Sequence, residues 1–373
     1  MRVLAAVLHE PGTPLVVEEI ELDPPLTGEV LVRVVAAGVC HSDLHLAEGN
    51  LSGERWPTVL GHEGAGIVEA VGEGVVTVAP GDPVAFCFVP PCGACRACAA
   101  GRFHLCETAA ANAFAGTLLD GTFRMRLDDG RWLQHFNFIS CFAERCVVPA
   151  ACAVPIPRDL PLRQAALLGC GVVTGVGAVR NAARVAAGES VCVYGCGGVG
   201  LQIIAAAQLV GAGQIVAIDR SSEKLELALA AGATDTIDAS GADAVEQVMA
   251  LVPGGVDHAF EAVGRADTIR QAFDSLRPGA TAIVVGIAPR GVEVALPALD
   301  LLSEKGVKGC FYGSANAPVE LAMLAGLVAR GRFRLPEVIS HVTDLHGIEE
   351  AFGRLRRGEG ARTVVVLDEE LAG

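Results

Sequence analysis

Four cysteines that lie close together are the clearest candidates for chemistry. Cys92, Cys95, Cys98 and Cys106 follow the spacing C-x2-C-x2-C-x7-C. Four thiolates on one short segment suit a closed tetrahedral zinc site, which stabilises a segment too polar to fold alone. An iron–sulfur cluster is the alternative, but its bacterial pattern ends in C-x3-C-P, which this segment lacks. The spacing predicts a structural zinc; four unconnected thiols and a nucleic-acid-binding zinc ribbon are the weaker interpretations.

A second set of candidate metal ligands is dispersed along the chain. Cys40 opens Cys-His-Ser-Asp-Leu-His after a predicted strand, His62 stands in Gly-His-Glu, and Cys170 lies between two glycines. A catalytic zinc takes three protein ligands and keeps a fourth position open, and two sulfurs with one imidazole form such a set. Spacing alone does not prove this, because a single His or Cys is more often a packed core residue.

The stretch 193–219 has the sequence of a dinucleotide-binding unit. β-branched residues lead into Gly-Cys-Gly-Gly-Val-Gly at 195–200, a helical stretch follows, and a second strand ends in Asp219. Glycines allow the tight turn and the approach of backbone N–H groups to a pyrophosphate. Asp219 can accept hydrogen bonds from both ribose hydroxyls and would repel a 2′-phosphate, which favours NAD over NADP, although Arg220 beside it has the opposite charge. The alternative is a glycine-rich turn between packed elements.

The elements that must position these residues change character along the chain. Residues 1–150 contain short Val-rich runs separated by Gly, Pro and Asp, which indicates a mostly β region. From about 171 to 313, Ala-rich helical patterns alternate with apolar runs, as in a doubly wound parallel sheet. A strand is predicted at Val75–Val78, and the polar, Gly-punctuated region 107–134 is predicted to be a long loop with a hairpin.

Composition excludes several classes of function. The length of 373 residues predicts two domains, and 51% hydrophobic with 19% charged residues indicates a well-buried globular protein. A net charge of −15 argues against nucleic-acid and anionic-membrane partners, because phosphate contacts need Lys and Arg. Without a signal-peptide pattern or a run of about 18 apolar residues, we expect a cytoplasmic protein. Because the cytoplasm keeps thiols reduced, the thirteen cysteines favour metal sites over disulfides.

Together these motifs resemble the zinc-dependent alcohol dehydrogenases of the medium-chain dehydrogenase/reductase superfamily. The pattern G-H-E-x2-G-x5-G-x2-V is matched at 61–75, and C-H-S-D-x-H at 40–45. Thr174-Gly175 follows Gly-Cys-Gly, and Arg-Thr-Val stands at 362–364. The resemblance implies an α/β fold: a GroES-like, mostly β catalytic domain from 1–171 and 314–373, and a Rossmann NAD domain with a doubly wound parallel sheet at 172–313.

The resemblance implies hydride transfer between NAD(H) and a primary alcohol or aldehyde. Aromatic and allylic alcohols are the candidate substrates. Cys40, His62 and Cys170 would hold a zinc that lowers the pKa of the alcohol. Ser42 would take the alcohol proton and pass it through the nicotinamide ribose to His45. The alternatives are a loop-capping hydroxyl for Ser42 and an exposed polar residue for His45.

Two carboxylates lie beside these residues in sequence. Asp43 is interpreted as an acceptor that orients His62. Glu63 resembles the carboxylate that family members hold near the catalytic zinc; its alternative is a buried ion pair with Arg362.

For the cofactor, the resemblance carries over a set of residues spread through the chain. His41 stands where many members carry an Arg that faces the pyrophosphate, and looser binding there would speed NADH release. Lys224 has a surface-charge alternative. The implied cofactor-binding residues are His41, Thr174, Gly195, Gly197, Gly198, Val199, Gly200, Asp219, Lys224, Val263, Arg265, Val285, Ile287 and Arg362.

The substrate channel is implied to be lined by Leu51, Phe88, Phe136 and Asn137, which suits an apolar or aromatic alcohol. Asn137 indicates a polar group on the substrate or, equally, a self-bonded loop residue. A thiol-dependent formaldehyde dehydrogenase is the second hypothesis, although glutathione-using members have Tyr and an acid where this chain has His45 and Leu51. A non-enzymatic structural or zinc-storing protein is the third. A homodimer or homotetramer is expected by resemblance.

Overall fold

The computed structural model describes residues 1–50, 56–241, 243–335 and 337–373. The chain forms two compact units. The first contains Met1–Cys170, Asn316–Arg332 and His341–Gly373, and the second contains Gly171–Ala315 and Phe333–Ser340. The second unit therefore takes in Gly171, residues 314–315 and the later segment Phe333–Ser340 in addition to the predicted 172–313.

The bounds of the regular elements follow in chain order. The strands are β1 (Arg2–Leu8), β2 (Val16–Leu22), β3 (Glu29–Val39), β4 (Thr58–Val59), β5 (Glu63–Val71), β6 (Pro83–Phe86), β7 (Met125–Arg126), β8 (Trp132–His135), β9 (Arg145–Pro149), β10 (Ala153–Pro155), β11 (Ser190–Tyr194), β12 (Gln214–Asp219), β13 (Asp235–Asp238), β14 (Val256–Glu261), β15 (Leu276–Val284), β16 (Gly306–Gly309), β17 (Ile339–Thr343) and β18 (Arg362–Val366). The helices are α1 (His41–Ala47), α2 (Arg96–Ala99), α3 (Glu107–Ala115), α4 (Leu162–Ala165), α5 (Gly171–Gly177), α6 (Gly198–Val210), α7 (Ser222–Ala231), α8 (Ala244–Leu251), α9 (Ala266–Asp274), α10 (Ala317–Ala329), α11 (Ile348–Arg357) and α12 (Glu369–Ala372).

In the first unit, strand β3 is the centre of the sheet that positions the candidate site. It is almost entirely buried and pairs antiparallel with β5, β9 and β18. Gly38 lies opposite Glu63 of β5, and Val39 lies opposite Thr363 of β18. Because antiparallel neighbours run in opposite directions, the end of β3 meets the starts of β5 and β18. The residues next to these positions, Cys40, His62 and Arg362, therefore lie at one end of the sheet.

The second unit contains a six-stranded parallel sheet. Its strand order is β13-β12-β11-β14-β15-β16. The chain builds outward from β11 in one direction and then from β14 in the other, so the order reverses between these two strands, where such sheets bind ligands. Buried residues such as Tyr194, Val216 and Phe273 form its core. This sheet confirms the predicted doubly wound, Rossmann-type parallel sheet of the second unit.

Two predicted elements were wrong. Glu107–Ala115 is a helix and not a loop: the Cys106 sulfur accepts a hydrogen bond from the Ala109 N–H at its start, and Gly116 ends it with φ 70°. The predicted hairpin follows as β7 and β8. Val75–Val78 is an irregular segment and not a strand: it pairs with no strand in the described part of the chain, and Val76 is 92% exposed.

No single helix among the described residues is long and apolar enough to cross a membrane. One bent pair, Leu162–Gly169 with Gly171–Ala183, meets the length and composition criteria only when the two are counted together.

Candidate active site

Three buried side chains converge at the end of the β3 sheet. The Sγ atoms of Cys40 and Cys170 and a ring nitrogen of His62 all lie within 4.8 Å of one another. Cys170 reaches this point because the chain before it passes directly against β6: a Cβ on Gly169 would overlap the carbonyl oxygen of Phe86. The structure thus brings together the dispersed set that the sequence suggested.

His62 has one ring nitrogen held by a carboxylate and the other available to a metal. Its Nδ1 lies 3.2 Å from Asp43 Oδ1, whereas its Nε2 is buried with no hydrogen-bond partner in the described part of the chain. Asp43 also accepts bonds from the backbone N–H groups of Cys40 (3.1 Å) and Gly61 (2.9 Å). An imidazole that donates Nδ1–H to a carboxylate presents Nε2 as a ligand. This donor set of two sulfurs and one nitrogen fits zinc.

Electrostatics at this end of the sheet favour an ionised Cys40. The Cys170 thiol lowers the pKa of Cys40 against the effect of burial, and the Arg362 guanidinium lowers it further. Burial lowers the pKa of His62, but Asp43 and Cys40 outweigh it and raise that pKa well above its usual value. A metal ion must displace the imidazole proton, so zinc uptake here depends on pH.

Glu63 and Arg362 form a buried ion pair beside the ligand set. Arg362 Nη1 lies 3.5 Å from Glu63 Oε2 and donates to the Val39 carbonyl at 3.0 Å. The structure therefore contains the ion pair that the sequence analysis held as the alternative for Glu63. A Cβ on Gly38 would overlap the Glu63 carboxylate, so glycine is needed where these groups pass.

Helix α1 carries the residues predicted to move the proton. Ser42 Oγ lies 3.7 Å from Cys40 Sγ. His45 is one turn further along, with its Nδ1 buried and without a hydrogen-bond partner among the described residues. His41 is exposed at the start of the helix, and its ring centroid lies 6.4 Å from that of His45.

Two phenylalanines enclose the candidate metal ligand. The rings of Phe88 and Phe136 stand edge-on to His62, with centroids 5.1 and 5.3 Å away and interplanar angles of 87° and 89°. Asn137 follows in a left-handed backbone conformation, with φ 49°. The fourth predicted channel residue, Leu51, lies outside the described residues.

A serine that sequence reasoning missed fixes this loop. Ser140 Oγ accepts from the Phe136 N–H at 2.9 Å and donates to the Val59 carbonyl at 2.8 Å. Both Phe138 and Ser140 have positive φ, 68° and 53°. Several strained residues in succession persist only where the surroundings determine them, and such strain gathers at functional sites. No local pattern announces a bond between residues 81 positions apart.

The four-cysteine segment forms a compact ligand cluster. The Sγ atoms of Cys92, Cys95, Cys98 and Cys106 lie within 4.8 Å of one another. Backbone N–H groups point at the sulfurs, as from Cys95 to Cys92 and from Cys92 to Cys106, both at 3.3 Å. Hydrogen bonding from the Thr108 hydroxyl, then from backbone N–H groups, lowers the pKa of Cys92 to about 6. Four sulfurs with donors that favour thiolates fit a closed zinc site.

In the second unit, the glycine turn joins β11 to α6. Gly195 has φ 93°, and a Cβ on Gly200 would overlap the Gly195 carbonyl. Asp219, at the end of β12, accepts from the Cys196 N–H at 2.7 Å. The acid predicted to bind a ribose therefore also holds the glycine turn, which its distance in sequence did not reveal. Gly197, Gly198 and Val199 lie at the start of α6, where helix amides favour a phosphate.

The remaining predicted cofactor residues lie at several places in the second unit. Val263 and Ile287 are 44% and 41% exposed and follow β14 and β15 at the carboxyl end of the sheet, with Val285 beside Ile287. Arg265, after Val263, is ion-paired with Asp267 at 2.9 Å. Two more lie on helices: Lys224 on α7 and Thr174 on α5.

Sequence comparisons place the whole chain in one family. Residues 27–158 match the model of an alcohol dehydrogenase GroES-like domain, and residues 198–326 match that of a zinc-binding dehydrogenase. The chain is 38% identical over 368 residues to an S-(hydroxymethyl)glutathione dehydrogenase from Photobacterium damsela subsp. piscicida, covering 98% of this chain and 100% of that one.

Solved structures agree. A crystal structure of an alcohol dehydrogenase zinc-binding domain protein from Burkholderia ambifaria is similar with a TM-score of 0.93 and 34% identity, over 99% of this chain and 100% of that one. Benzyl alcohol dehydrogenase from Acinetobacter calcoaceticus gives a TM-score of 0.90 and 30% identity, over 98% and 99%. With two ligand sets for zinc and a glycine turn for a nicotinamide dinucleotide, the chain belongs to the zinc-dependent alcohol dehydrogenases of the medium-chain dehydrogenase/reductase superfamily.

Proposed function

We propose that the protein transfers hydride between a primary alcohol or its aldehyde and NAD(H). The observation that carries the proposal is the buried set of Cys40, His62 and Cys170, with the Nε2 of His62 held ready by Asp43. When bound, zinc supplies Lewis-acid chemistry at the substrate oxygen and the nicotinamide accepts the hydride. Cys40, His62 and Cys170 hold the metal, and Asp43 fixes the imidazole tautomer.

Ser42 and His45 are the groups proposed to carry the alcohol proton. Ser42 lies beside Cys40, so its hydroxyl is close to the metal ligands. A hydroxyl both accepts and donates hydrogen bonds, and a neutral imidazole has a ring nitrogen that can accept a proton. The Nδ1 atom of His45, which has no hydrogen-bond partner among the described residues, is proposed to accept that proton. Glu63 is proposed to balance the positive charge of its ion-pair partner Arg362 and not to receive the proton.

The proposed substrate is an aromatic or otherwise apolar primary alcohol. Phe88 and Phe136 stand edge-on at His62, so the space beside the candidate metal has aromatic walls. Aromatic rings favour edge and offset contacts with another ring. Asn137, the residue after Phe136, is proposed to offer a polar contact to a substituent of the substrate. The similarity to a benzyl alcohol dehydrogenase supports this choice.

NAD is the proposed dinucleotide. The Asp219 carboxylate ends β12 and already accepts from Cys196, Arg220 and Ser221 N–H groups. A fixed carboxylate at this position repels a 2′-phosphate. Replacing Asp219 with Gly is expected to weaken NAD binding and improve NADP binding.

The experiment is a panel of benzylic, allylic, short primary and secondary alcohols, assayed with NAD and with NADP. The highest kcat/KM is expected for benzylic or allylic alcohols with NAD. Cys40→Ala should lose turnover and one zinc per chain while the protein stays folded, whereas Cys146→Ala, a buried thiol of the same unit, should keep both. Full turnover by Cys40→Ala would contradict the proposed ligand set.

A second candidate is a thiol-dependent formaldehyde dehydrogenase. The observation that favours it is the 38% identity to an S-(hydroxymethyl)glutathione dehydrogenase. His45 differs from the Tyr of the glutathione-using members, which argues for a different thiol or for none. Formaldehyde mixed with glutathione or other low-molecular-weight thiols, followed by NADH formation, separates the two: turnover only with a thiol supports this candidate.

A second copy of the chain is the proposed partner. Leu299, Leu302 and Phe311 are 76%, 81% and 54% exposed around β16, the strand that ends the six-stranded sheet. Apolar side chains beside an edge strand are typical of an interface. Sedimentation should show an oligomer that Leu302→Asp weakens; a wild-type monomer would contradict this.

A further inference from the structure

A buried carboxylate lies at the strand-order reversal of the second unit. Glu261 is the last residue of β14, is fully buried, and lies in register with Tyr194, the last residue of β11. The glycine turn starts at the next residue, Gly195. A charged side chain is almost never fully buried unless it is ion-paired or hydrogen-bonded.

The Glu261 side chain holds the loop that follows it. Its Oε1 accepts three hydrogen bonds: from the N–H groups of Val263 (2.9 Å) and Gly264 (2.7 Å) and from the Thr268 hydroxyl (2.7 Å). Its Oε2 is buried without a hydrogen-bond partner among the described residues. Burial raises the pKa of Glu261, and these three donors oppose that shift. Hydrogen bonds to a charged acceptor are the stronger kind.

The Glu261 main chain holds a second loop. Its carbonyl accepts from the N–H groups of Val285 at 2.8 Å and Gly286 at 2.9 Å, just after β15. One residue therefore ties together the segments 262–265 and 285–287, the first through its carboxylate and the second through its carbonyl.

The two loops also touch each other and the glycine turn. A Cβ on Gly264 would overlap the Ile287 carbonyl, and a Cβ on Gly286 would overlap the Gly264 nitrogen. A Cβ on Gly195 would lie 2.6 Å from Val263 Cγ2. With no room for side chains between them, a shift of the 262–265 loop must move its neighbours.

We propose that Glu261 is a positioning residue for the dinucleotide, which sets the 262–265 loop against the 285–287 loop and the glycine turn so that Val263 and Ile287 face the cofactor. This inference rests on the proposed NAD-binding function of the second unit and adds a residue outside the glycine turn and Asp219. Loss of the carboxylate loosens the two loops and weakens dinucleotide binding, while the metal ligands stay unchanged.

The test compares Glu261→Gln with Asp274→Asn, a carboxylate-to-amide change at the far end of α9, where Asp274 pairs with Arg270. Glu261→Gln keeps the shape of the side chain, but its neutral amide oxygen must then accept from the Val263 N–H, the Gly264 N–H and the Thr268 hydroxyl. We expect its Kd for NAD to rise about tenfold and its KM for NAD to follow, with a smaller change in kcat. We expect backbone amide exchange to accelerate at 263–264 and 285–286 in the cofactor-free protein.

The outcomes are separable. Unchanged NAD affinity and unchanged exchange in Glu261→Gln, while the wild type binds NAD, would overturn the inference. A lower melting temperature with unchanged affinity would also overturn it, because that is a purely structural role.

If the wild type and Asp274→Asn bind neither NAD nor NADP, the proposed function fails, and the exchange experiment still decides whether Glu261 holds the loops. Should Glu261→Gln not fold, Thr268→Val removes one donor, and we expect about a threefold rise in Kd; no rise would contradict the inference.

Discussion

Replacing Asp43 with Asn should separate the role of this carboxylate from those of the metal ligands. Asp43 accepts from Cys40 N–H, Gly61 N–H and His62 Nδ1, all buried. The amide oxygen of Asn can replace only one carboxylate oxygen, so the NH2 group must face at least one N–H donor. A buried N–H left without an acceptor costs about 1–3 kcal/mol. The changed support of His62 should also weaken zinc binding about 10- to 100-fold.

Two measurements check this prediction. Urea unfolding of the metal-free protein should show the loss of stability, and competition with a chelator should show earlier release of one of two zinc ions. Asp129→Asn is the matched control, because Asp129 is exposed and pairs only locally with Arg131; it should leave both values unchanged. Equal zinc retention and equal unfolding midpoints in Asp43→Asn and the wild type would refute the reasoning.

Three further predictions concern His135, Cys92 and Ser140. Burial lowers the pKa of His135 from 6.5 to about 3, so the unfolded chain takes up its proton first as pH falls and stability is lost below about pH 6.5. Between pH 7 and pH 5, the free energy of unfolding measured with urea should therefore fall by about 2 kcal/mol less in His135→Gln than in the wild type. An equal fall in both proteins would contradict this. Cys92→Ser should reduce zinc content from about two ions per chain to about one and lower the melting temperature; retention of both ions would exclude the proposed cluster. Ser140→Ala loses the bonds to Phe136 and Val59 and should destabilise the protein by about 1–3 kcal/mol while raising KM for the alcohol more than KM for NAD; equal increases would argue against a role at the substrate loop.

The sequence predicted those parts of the site whose signals are local. The glycine turn, its flanking strands and the four-cysteine spacing each lie within one short stretch, because their geometry demands particular residues at fixed separations. The three dispersed ligands needed family resemblance, since nothing in the spacing of Cys40, His62 and Cys170 shows that strand ends meet.

The missed features depend on contacts between distant segments. Helix α3 begins where the Cys106 sulfur accepts from Ala109, so its start follows from the folded cysteine cluster and not from propensity alone. Ser140 acts on Val59, and Glu261 holds a loop after β15 through its main-chain oxygen, which any residue type would supply. An acid at the end of a strand, as at Asp219, was the one available signal for Glu261.

The meeting of β3, β5 and the segment before Cys170 at one point has a consequence for folding. A metal held there joins Cys40 to Cys170, which are 130 residues apart in sequence (170 − 40). Because the three ligands converge only in the folded chain, a metal binds the native state, and its binding adds stability with each tenfold excess of free ion. Zinc supply is therefore expected to set the stability of the folded chain as well as its chemistry.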